Sequence, residues 1–327
     1  QIFFGQFVDH DITLDATTSF NQVVDDAGEI ANVRTPTLDL DCIYGLGPEA
    51  APYLYVSGGD FGGAKLLTGA DSGAGGLADD DLARAANGRA MIGDPRNDEN
   101  RVISQMQLAM IRFHNHVCDT LHAEHGYTGG ELHEHARQVA TWHYQWCVVN
   151  DFLPAVCGAP VVEDILACGR KHFCGGIPYI PVEFSVAAYR FGHSMIPQKV
   201  QVQKGGAAHN LFGSVLGGGF APLSDPDAVV DFHELFHTPA NRNVQKAEKL
   251  DTKLATTLSA LTVLPLTEEI GVVARDLAPF AIPLRTHFGR LGVPFSSAPG
   301  VCGPLEPEGR RLRALLDLLS AGERAAP

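Results

Sequence analysis

The chain of 327 residues lacks long apolar runs, an excess of basic residues and closely paired cysteines. No window approaches about 18 uninterrupted apolar residues, so we expect no transmembrane helix. The net charge of -14 disfavours nucleic acid or an anionic membrane as a partner, because both attract basic surfaces. An apolar content of 45% and a charged content of 19% are typical of a globular domain.

The seven cysteines include no C-x-x-C pair, which disfavours a zinc-ribbon or thioredoxin-like site. Their odd number excludes complete internal pairing. Cys168 and Cys174 are close enough in sequence to close a short loop, but buried free thiols fit equally well. The cysteines therefore leave the redox compartment open.

The chain begins at Gln1, inside an apparent motif and without a signal-like segment. We therefore expect a fragment or a processed product, truncated at the N-terminus and at the C-terminus. No composition shift divides the chain, so residues 1–327 are expected to form one domain. The sequence does not indicate an oligomeric state.

Helical periodicity dominates, and convincing alternating strands are few. The predicted fold is mainly α, with long loops and little β-structure. Long connections over residues 58–88 and 205–225 are expected to be functional or wrapped around something. The predicted helices run from Asn100 to about Glu124, from Glu131 to Val149, from Val182 to Met195, from Lys246 to Leu264 and from Glu306 to Leu319.

The first chemical motif, GQFVDHD, places a histidine between two carboxylates. On a helix, Gln6 and His10 share a face, while Asp9 and Asp11 point to either side of it. This arrangement can serve a cavity and a neighbouring metal loop at once. A lone histidine flanked by aspartates is more often a surface residue, so the motif depends on the segments that follow.

The second motif, RTPTLDLD, alternates hydroxyl and carboxyl side chains with other residues. In an extended loop, this period of two sends the side chains to one side. Oxygen ligands converging in this way suit calcium, and Asp11 would add a further carboxylate. An Asp-rich turn without an ion is the equal alternative. The proposed ligands are Thr35, Thr37, Asp39 and Asp41.

The third and fourth motifs are GDPRNDEN and YRFGHSM. Arg96 can direct a permanently charged fork into a cavity, and Glu99 can reach a neighbouring side of it. Gly192 leaves space beside His193, as a flat ligand would require. Alone, these motifs would indicate a charged helix start and a buried histidine.

Two other patterns do not support a site. Residues 58–65 (GGDFGGAK) resemble a phosphate loop but lack its Gly-Lys-Ser/Thr ending, so a flexible loop is expected. Seven histidines between His114 and His143 lack a zinc-binding spacing, so they are interpreted as helix-surface residues.

Taken together and in this order, the four motifs resemble the animal-type haem peroxidases of the peroxidase–cyclooxygenase superfamily. The segments between them, such as ELHEHARQVATWHYQWCVVNDFLP, read like helices of this family, particularly of its bacterial members. The resemblance covers most of residues 1 to about 295. It implies a single, mainly helical haem-peroxidase domain.

The resemblance implies a role for each motif residue. His10 would be the distal histidine, Arg96 the distal arginine, and His193 the ligand of haem iron. Gln6 would line the distal cavity. Asp9 and Glu99 match the two carboxylates that form ester bonds to methyl groups of haem b in mammalian members, and Arg190 matches an arginine close to a haem propionate. The residues that match the calcium (Ca²⁺) loop are Asp11, Thr35, Thr37, Asp39 and Asp41.

The implied activity is a peroxidase reaction. The enzyme would reduce hydrogen peroxide and oxidise a small organic donor or halide through a ferryl intermediate. The calcium loop, together with what is usual in the family, suggests a secreted or periplasmic location. It also suggests a role in the response to oxidative stress.

Some residues depart from the family pattern and keep alternatives open. Asn100 stands where myeloperoxidase has the methionine that forms a sulfonium bond to haem. Leu284 occupies the position of the asparagine that supports the proximal histidine. A fatty-acid dioxygenase is disfavoured because Arg190, rather than a tyrosine, lies three residues before His193, with Tyr189 one residue too early. A non-catalytic, calcium-dependent adhesion or matrix module is the third interpretation.

Overall fold

The fold is that of a computed structural model, which describes residues 1–15, 30–170, 176, 178–186, 188–238 and 241–247. Residues Gln1–Ala247 form one compact unit. The expectation of one domain over residues 1–327 stays a prediction. Within the described part of the chain, no helix is both long and apolar enough to cross a membrane.

Short and long helices account for most of the regular structure in the described residues, which confirms the predicted mainly α fold. The helices are α1 (Ile2–Ile12), α2 (Asp41–Tyr44), α3 (Gly47–Ala50), α4 (Arg101–His125), α5 (Gly129–Cys147), α6 (Leu153–Cys157), α7 (Ala159–Cys168), α8 (Val182–Val186) and α9 (Phe232–Leu235).

Strands contribute little to this part of the fold, as predicted. Strands β1 (Lys199–Gln201) and β2 (Ala208–Asn210) pair antiparallel. β2 lies inside the connection predicted over residues 205–225. The other long connection contains the 3₁₀ turns Gly69–Ser72 and Gly76–Asp80, so neither connection is without structure.

Helix α4 forms where its sequence signals predict it. The side chain of Asn100 caps the N-terminus by accepting a hydrogen bond from the amide of Ile103 at 3.1 Å. Gly126 ends the helix in the left-handed conformation, with φ of 73°. Local signals thus set both ends of this long helix.

The predicted end of the next helix is wrong. After α5 the chain continues through a π-helical turn, Val148–Phe152, directly into α6. Pro154 does not stop the chain here, because it lies directly after the π-helical turn, where the hydrogen-bond pattern of the α-helix is already interrupted. The turn places Phe152 against α1.

The predicted helix Val182–Met195 is also not continuous. α8 ends at Val186, and Ala188–Met195 forms a 3₁₀ helix. Gly192 is a poor former of α-helix, which fits the change in local geometry. Residues 248–264 and 306–319 of the last two predicted helices lie outside the described residues.

The core that positions the site lies between α1, α4 and α5. Phe7 is fully buried and meets Tyr144 edge to face, with ring centroids 5.9 Å apart. Phe4 meets Tyr144 and Phe152 in the same manner. Burying each of these aromatic side chains stabilises the fold by about 1.5–3 kcal/mol. The packing fixes one face of α1 and leaves another to line a cavity.

Candidate active site

One cavity, with a volume of about 250 Å³, lies between α1, the segment around Arg96 and the 3₁₀ helix Ala188–Met195. This volume is slightly below the usual range of about 300–1,000 Å³ for ligand pockets. Residues from three separate sequence motifs therefore meet in one place. The lining includes all residues for which the sequence predicts a role at haem: Gln6, Asp9, His10, Arg96, Glu99, Arg190 and His193.

His10 is buried, with 5% of its surface exposed, and its orientation is fixed by a hydrogen bond. Its Nδ1 lies 2.6 Å from Oδ1 of Asn97. Burial, with the nearby charge of Arg96, lowers the pKa of His10 to about 4. The imidazole is therefore neutral at neutral pH and able to accept a proton.

Arg96 is held in place by oxygen atoms around its guanidinium group. Nη2 donates to the carbonyl oxygens of His10 at 3.1 Å and Thr13 at 2.6 Å, and to the carboxylate of Asp94 at 2.7 Å. Burial alone would raise the pKa of Asp94, but hydrogen bonds and charges from Arg96 and Arg34 hold it below its ordinary value. These contacts place a fixed positive charge at the cavity wall.

Two carboxyl groups line the same cavity. Asp9 pairs with Arg190 and accepts a hydrogen bond from the Thr13 hydroxyl at 2.9 Å. Glu99 accepts a hydrogen bond from the amide nitrogen of Gln6. Burial raises the pKa of Asp9 and that of Glu99. The Oε1 atom of Gln6 is buried and has no hydrogen-bond partner among the described residues.

His193 is exposed and is oriented by its own helical turn. Its Nδ1 lies 3.0 Å from the carbonyl oxygen of Arg190. Since a carbonyl oxygen only accepts, Nδ1 is the donor, and Nε2 keeps its lone pair in the neutral ring. A Cβ added at the neighbouring Gly192 would meet nothing within 4 Å, so the space predicted beside His193 is present.

A second site lies on the other side of α1. Oxygen atoms of Asp11, Asp39 and Asp41 lie within 4.8 Å of one another. Asp11 is fully buried, and neither of its carboxyl oxygens has a hydrogen-bond partner among the described residues. Burial and the charges of Asp41 and Asp39 raise the pKa of Asp11 to about 7. Arg34 pairs with Asp41 at 3.1 Å, so the cost of a buried carboxyl group without a partner falls on Asp11.

The two predicted threonine ligands join this site through Asp39. The hydroxyls of Thr35 and Thr37 donate to Oδ2 of Asp39 at 2.7 Å and 2.9 Å. The prediction of a uniformly extended loop is wrong, because Leu40 has a left-handed backbone, with φ of 61°, and Asp41 begins α2. The change of direction brings Asp41 round to Asp11.

The interpretation of the histidines as helix-surface residues is wrong for two of them. His114 and His133 are buried. Nε2 of His114 lies 2.9 Å from the carbonyl oxygen of Ala64, and its Nδ1 lies 3.1 Å from the hydroxyl of Tyr44. Among the described residues, only the aspartate cluster has metal-ligand geometry, and these histidines serve packing instead.

Sequence reasoning missed two buried amides beside the site. Asn97 bonds His10, and Gln107 of α4 bonds Asn97 at 2.8 Å. The only available signal was their position: Asn97 directly follows Arg96, and Gln107 interrupts the apolar face of a long helix.

Comparison with known proteins shows which family model and which relatives the chain matches. Residues 19–260 match the family model for the animal haem peroxidases. The chain is 31% identical over 118 residues to dual oxidase 1 of Caenorhabditis elegans, a match covering 36% of this chain and 8% of that protein. It is 31% identical over 119 residues to chorion peroxidase of Drosophila melanogaster, covering 34% and 15%. The matches thus span a small part of these relatives.

Two solved structures are similar in part. Peroxidase A from Dictyostelium discoideum has a TM-score of 0.43 and 14% identity, with 68% of this chain and 51% of that chain covered. The fatty acid alpha-dioxygenase of Oryza sativa has a TM-score of 0.44 and 20% identity, with 71% and 43% covered.

Proposed function

Because the chain belongs to the animal haem peroxidase family, we propose that it is a haem-dependent peroxidase that reduces hydrogen peroxide and oxidises a small donor. One observation carries this proposal. A single cavity is lined by His10, Arg96 and His193, which come from distant parts of the sequence. A neutral base, a fixed cation and a histidine with a free ring nitrogen are the groups that the reaction requires.

The lining residues fit haem. His193 offers a nitrogen ligand for haem iron, because the hydrogen bond from its Nδ1 to the carbonyl oxygen of Arg190 leaves Nε2 available. The open space at Gly192 allows a flat group to lie beside it. The bond to Arg190 also gives His193 an orienting partner of its own. Leu284, where the family has an asparagine for this purpose, lies outside the described residues.

Haem, when bound, supplies the redox chemistry that accepts oxygen from peroxide and oxidises the donor. His10 takes a proton from peroxide at its Nε2 and returns it to the departing oxygen, first as base and then as acid. Arg96 stabilises the negative charge that develops as the O–O bond lengthens. Asp94 keeps the guanidinium in position for this task.

Asp9 and Glu99 are the proposed sites for ester links to haem. Both lie at the cavity, where burial raises their pKa. If links form after turnover with peroxide, haem will stay with the protein through acid extraction, and its mass will appear on peptides containing these residues. Complete extraction would leave haem held without a covalent bond.

Calcium is the proposed ion of the aspartate cluster. Three carboxyl groups gather there, Thr35 and Thr37 bond to one of them, and the buried Asp11 has no hydrogen-bond partner among the described residues. Since Asp11 is adjacent to His10 on α1, the ion would stiffen the helix that carries the proposed base. A calcium site also favours a location that is secreted or periplasmic.

A fatty-acid dioxygenase is a second candidate because of Tyr189. This residue lines the cavity although it is not at the expected spacing. Its hydroxyl donates to the carbonyl oxygen of Gly5 at 3.0 Å, and burial raises its pKa. Oxygen uptake with a fatty acid, lost in Tyr189→Phe, would favour the dioxygenase. Unchanged uptake or none would favour the peroxidase.

Haem titration of the full chain with and without His193 tests the proposal. His193→Ala is expected to lose the iron-ligated Soret band. His143→Ala is the matched control, because His143 is also exposed and its Nδ1 also bonds a carbonyl oxygen of its own helix, that of Val139 at 2.8 Å. Equal haem spectra in both variants would contradict the assignment of His193.

A further inference from the structure

Two buried amides connect His10 to the backbone of α2, and their hydrogen-bond directions can be deduced. Gln107 is fully buried, and its Nε2 lies 3.2 Å from the carbonyl oxygen of Cys42. That oxygen has no proton, so the nitrogen of the Gln107 amide must face it. The Oε1 atom of Gln107 must then face the other way.

The next link follows from the first. Oε1 of Gln107 lies 2.8 Å from Nδ2 of Asn97, which donates to it. The amide of Asn97 is thereby oriented, and its Oδ1 faces Nδ1 of His10 at 2.6 Å. Since both amides are fully buried, water does not compete for these positions.

The final link concerns the proton on His10. Oδ1 of an amide can only accept, so Nδ1 of His10 must carry the hydrogen. A neutral imidazole has one N–H, which leaves Nε2 with its lone pair. The carbonyl oxygen of Cys42 therefore fixes the orientation of the Gln107 amide, which fixes that of Asn97. The orientation of Asn97 in turn sets the tautomer of the proposed base, His10.

We propose that Asn97 and Gln107 are positioning residues that hold His10 in the Nδ1–H tautomer, with Nε2 ready to accept a proton from peroxide. The consequence for catalysis rests on the proposed function. Without this chain, His10 would divide between two tautomers, and the Nε2–H form cannot act as the base. An acceptor at position 97 is the essential feature.

The direct test is the tautomer of His10 in the full chain, measured by ¹⁵N NMR with labelled histidine and assigned with His10→Gln. The native chain is expected to show the Nδ1–H form. Asn97→Leu removes the acceptor and should give a mixture, whereas Asn97→Asp retains an acceptor and should preserve the tautomer. This readout needs no haem, so it stays informative if the proposed function fails.

A matched control separates positioning from general damage to α4. Gln105 is also buried on α4, and its amide also donates to a backbone carbonyl, that of Asp80, at 2.6 Å. Gln105→Leu should destabilise the fold about as much as Gln107→Leu but leave the tautomer of His10 unchanged. Gln107→Leu should shift the tautomer towards a mixture.

The rate of reaction with peroxide in the haem-loaded protein gives a second readout. Asn97→Leu is expected to lower this rate by about 10- to 100-fold, with Asn97→Asp restoring most of it. An unchanged tautomer in Asn97→Leu would overturn the proposal. So would equal rate losses in Gln105→Leu and Gln107→Leu.

Discussion

The two histidines of the cavity are held in different ways. His10 is buried on α1, and a chain of buried amides links it to α4 and α2. His193 is exposed, and among the described residues its ring has a hydrogen bond only to its own turn. The side that would meet peroxide is therefore preorganised by the protein, whereas the side that would hold haem iron is organised locally.

Because the two histidines are held separately, the two functions of the site, haem binding and reaction with peroxide, can fail separately. Loss of the buried side should impair chemistry while haem still binds. Loss of the exposed side should impair haem binding while the fold persists. Variants on each side of the cavity test whether haem binding and chemistry are separate.

The largest effect is expected from His10→Ala. The proposed base and acid is lost, so the rate of reaction with peroxide should fall by about 10²–10⁴-fold. Haem uptake should remain close to that of the native chain, since His193 is intact. Stopped-flow mixing and a haem titration measure the two quantities. A large loss of haem uptake would contradict the separation of the two sides.

The next effect is expected from Arg96→Gln. Removing the cation should lower the peroxide rate by about 10²–10³-fold, because the developing charge loses its stabilising group. Arg96→Lys should lose less, since it keeps the charge but not the fork that binds Asp94 and two carbonyls. Equal rates in the two variants would show that charge is not what matters.

A smaller effect is expected from calcium, and its size depends on pH. The pKa of Asp11 is about 7 in the calcium-free fold, against 3.8 ordinarily. The stability that its protonated form contributes is thus present below about pH 4 and lost as pH rises through about 7. Calcium replaces the proton, so the calcium-dependent rise in Tm should be larger at pH 8 than at pH 5.

Asp11→Asn is the control for this prediction. The amide does not titrate, so both the pH-dependent loss and most of the calcium-dependent rise in Tm should disappear. Thermal unfolding with calcium or with a chelator measures both effects. An equal rise at pH 5 and pH 8 in the native chain would contradict a calcium site at Asp11.

The smallest effect is expected from Asn100→Ala, which removes the cap of α4. The free energy of unfolding should fall by about 1 kcal/mol. Urea unfolding measures this change, and Asn100→Ser, which retains a capping oxygen, should restore most of the loss. No restoration would indicate that Asn100 acts through its contact with Glu99 rather than as a cap.

Local signals allowed much of the site to be predicted from sequence. The caps of α4 lie at the ends of its own sequence, and the lining residues with a predicted role lie in three short motifs. Missed features depend on packing between distant segments. Pro154 reads as a stop until α5 is seen to continue through a π turn, and His114 reads as a surface residue until its contacts with Ala64 and Tyr44 are seen.

The amide chain shows the same limit more clearly. Asn97 and Gln107 are ordinary polar residues in the sequence, and only the fold places one against the other and both beneath His10. The left-handed Leu40 is a similar case, because nothing in its type predicts the turn that brings Asp41 to Asp11.

The most direct measurement is an absorption spectrum of the full chain loaded with haem and calcium, recorded before and after one equivalent of hydrogen peroxide. We expect a Soret band from histidine-ligated haem that changes within the mixing time and returns when a phenol is added. A chain that takes up no haem, or a Soret band that peroxide leaves unchanged, would contradict this expectation.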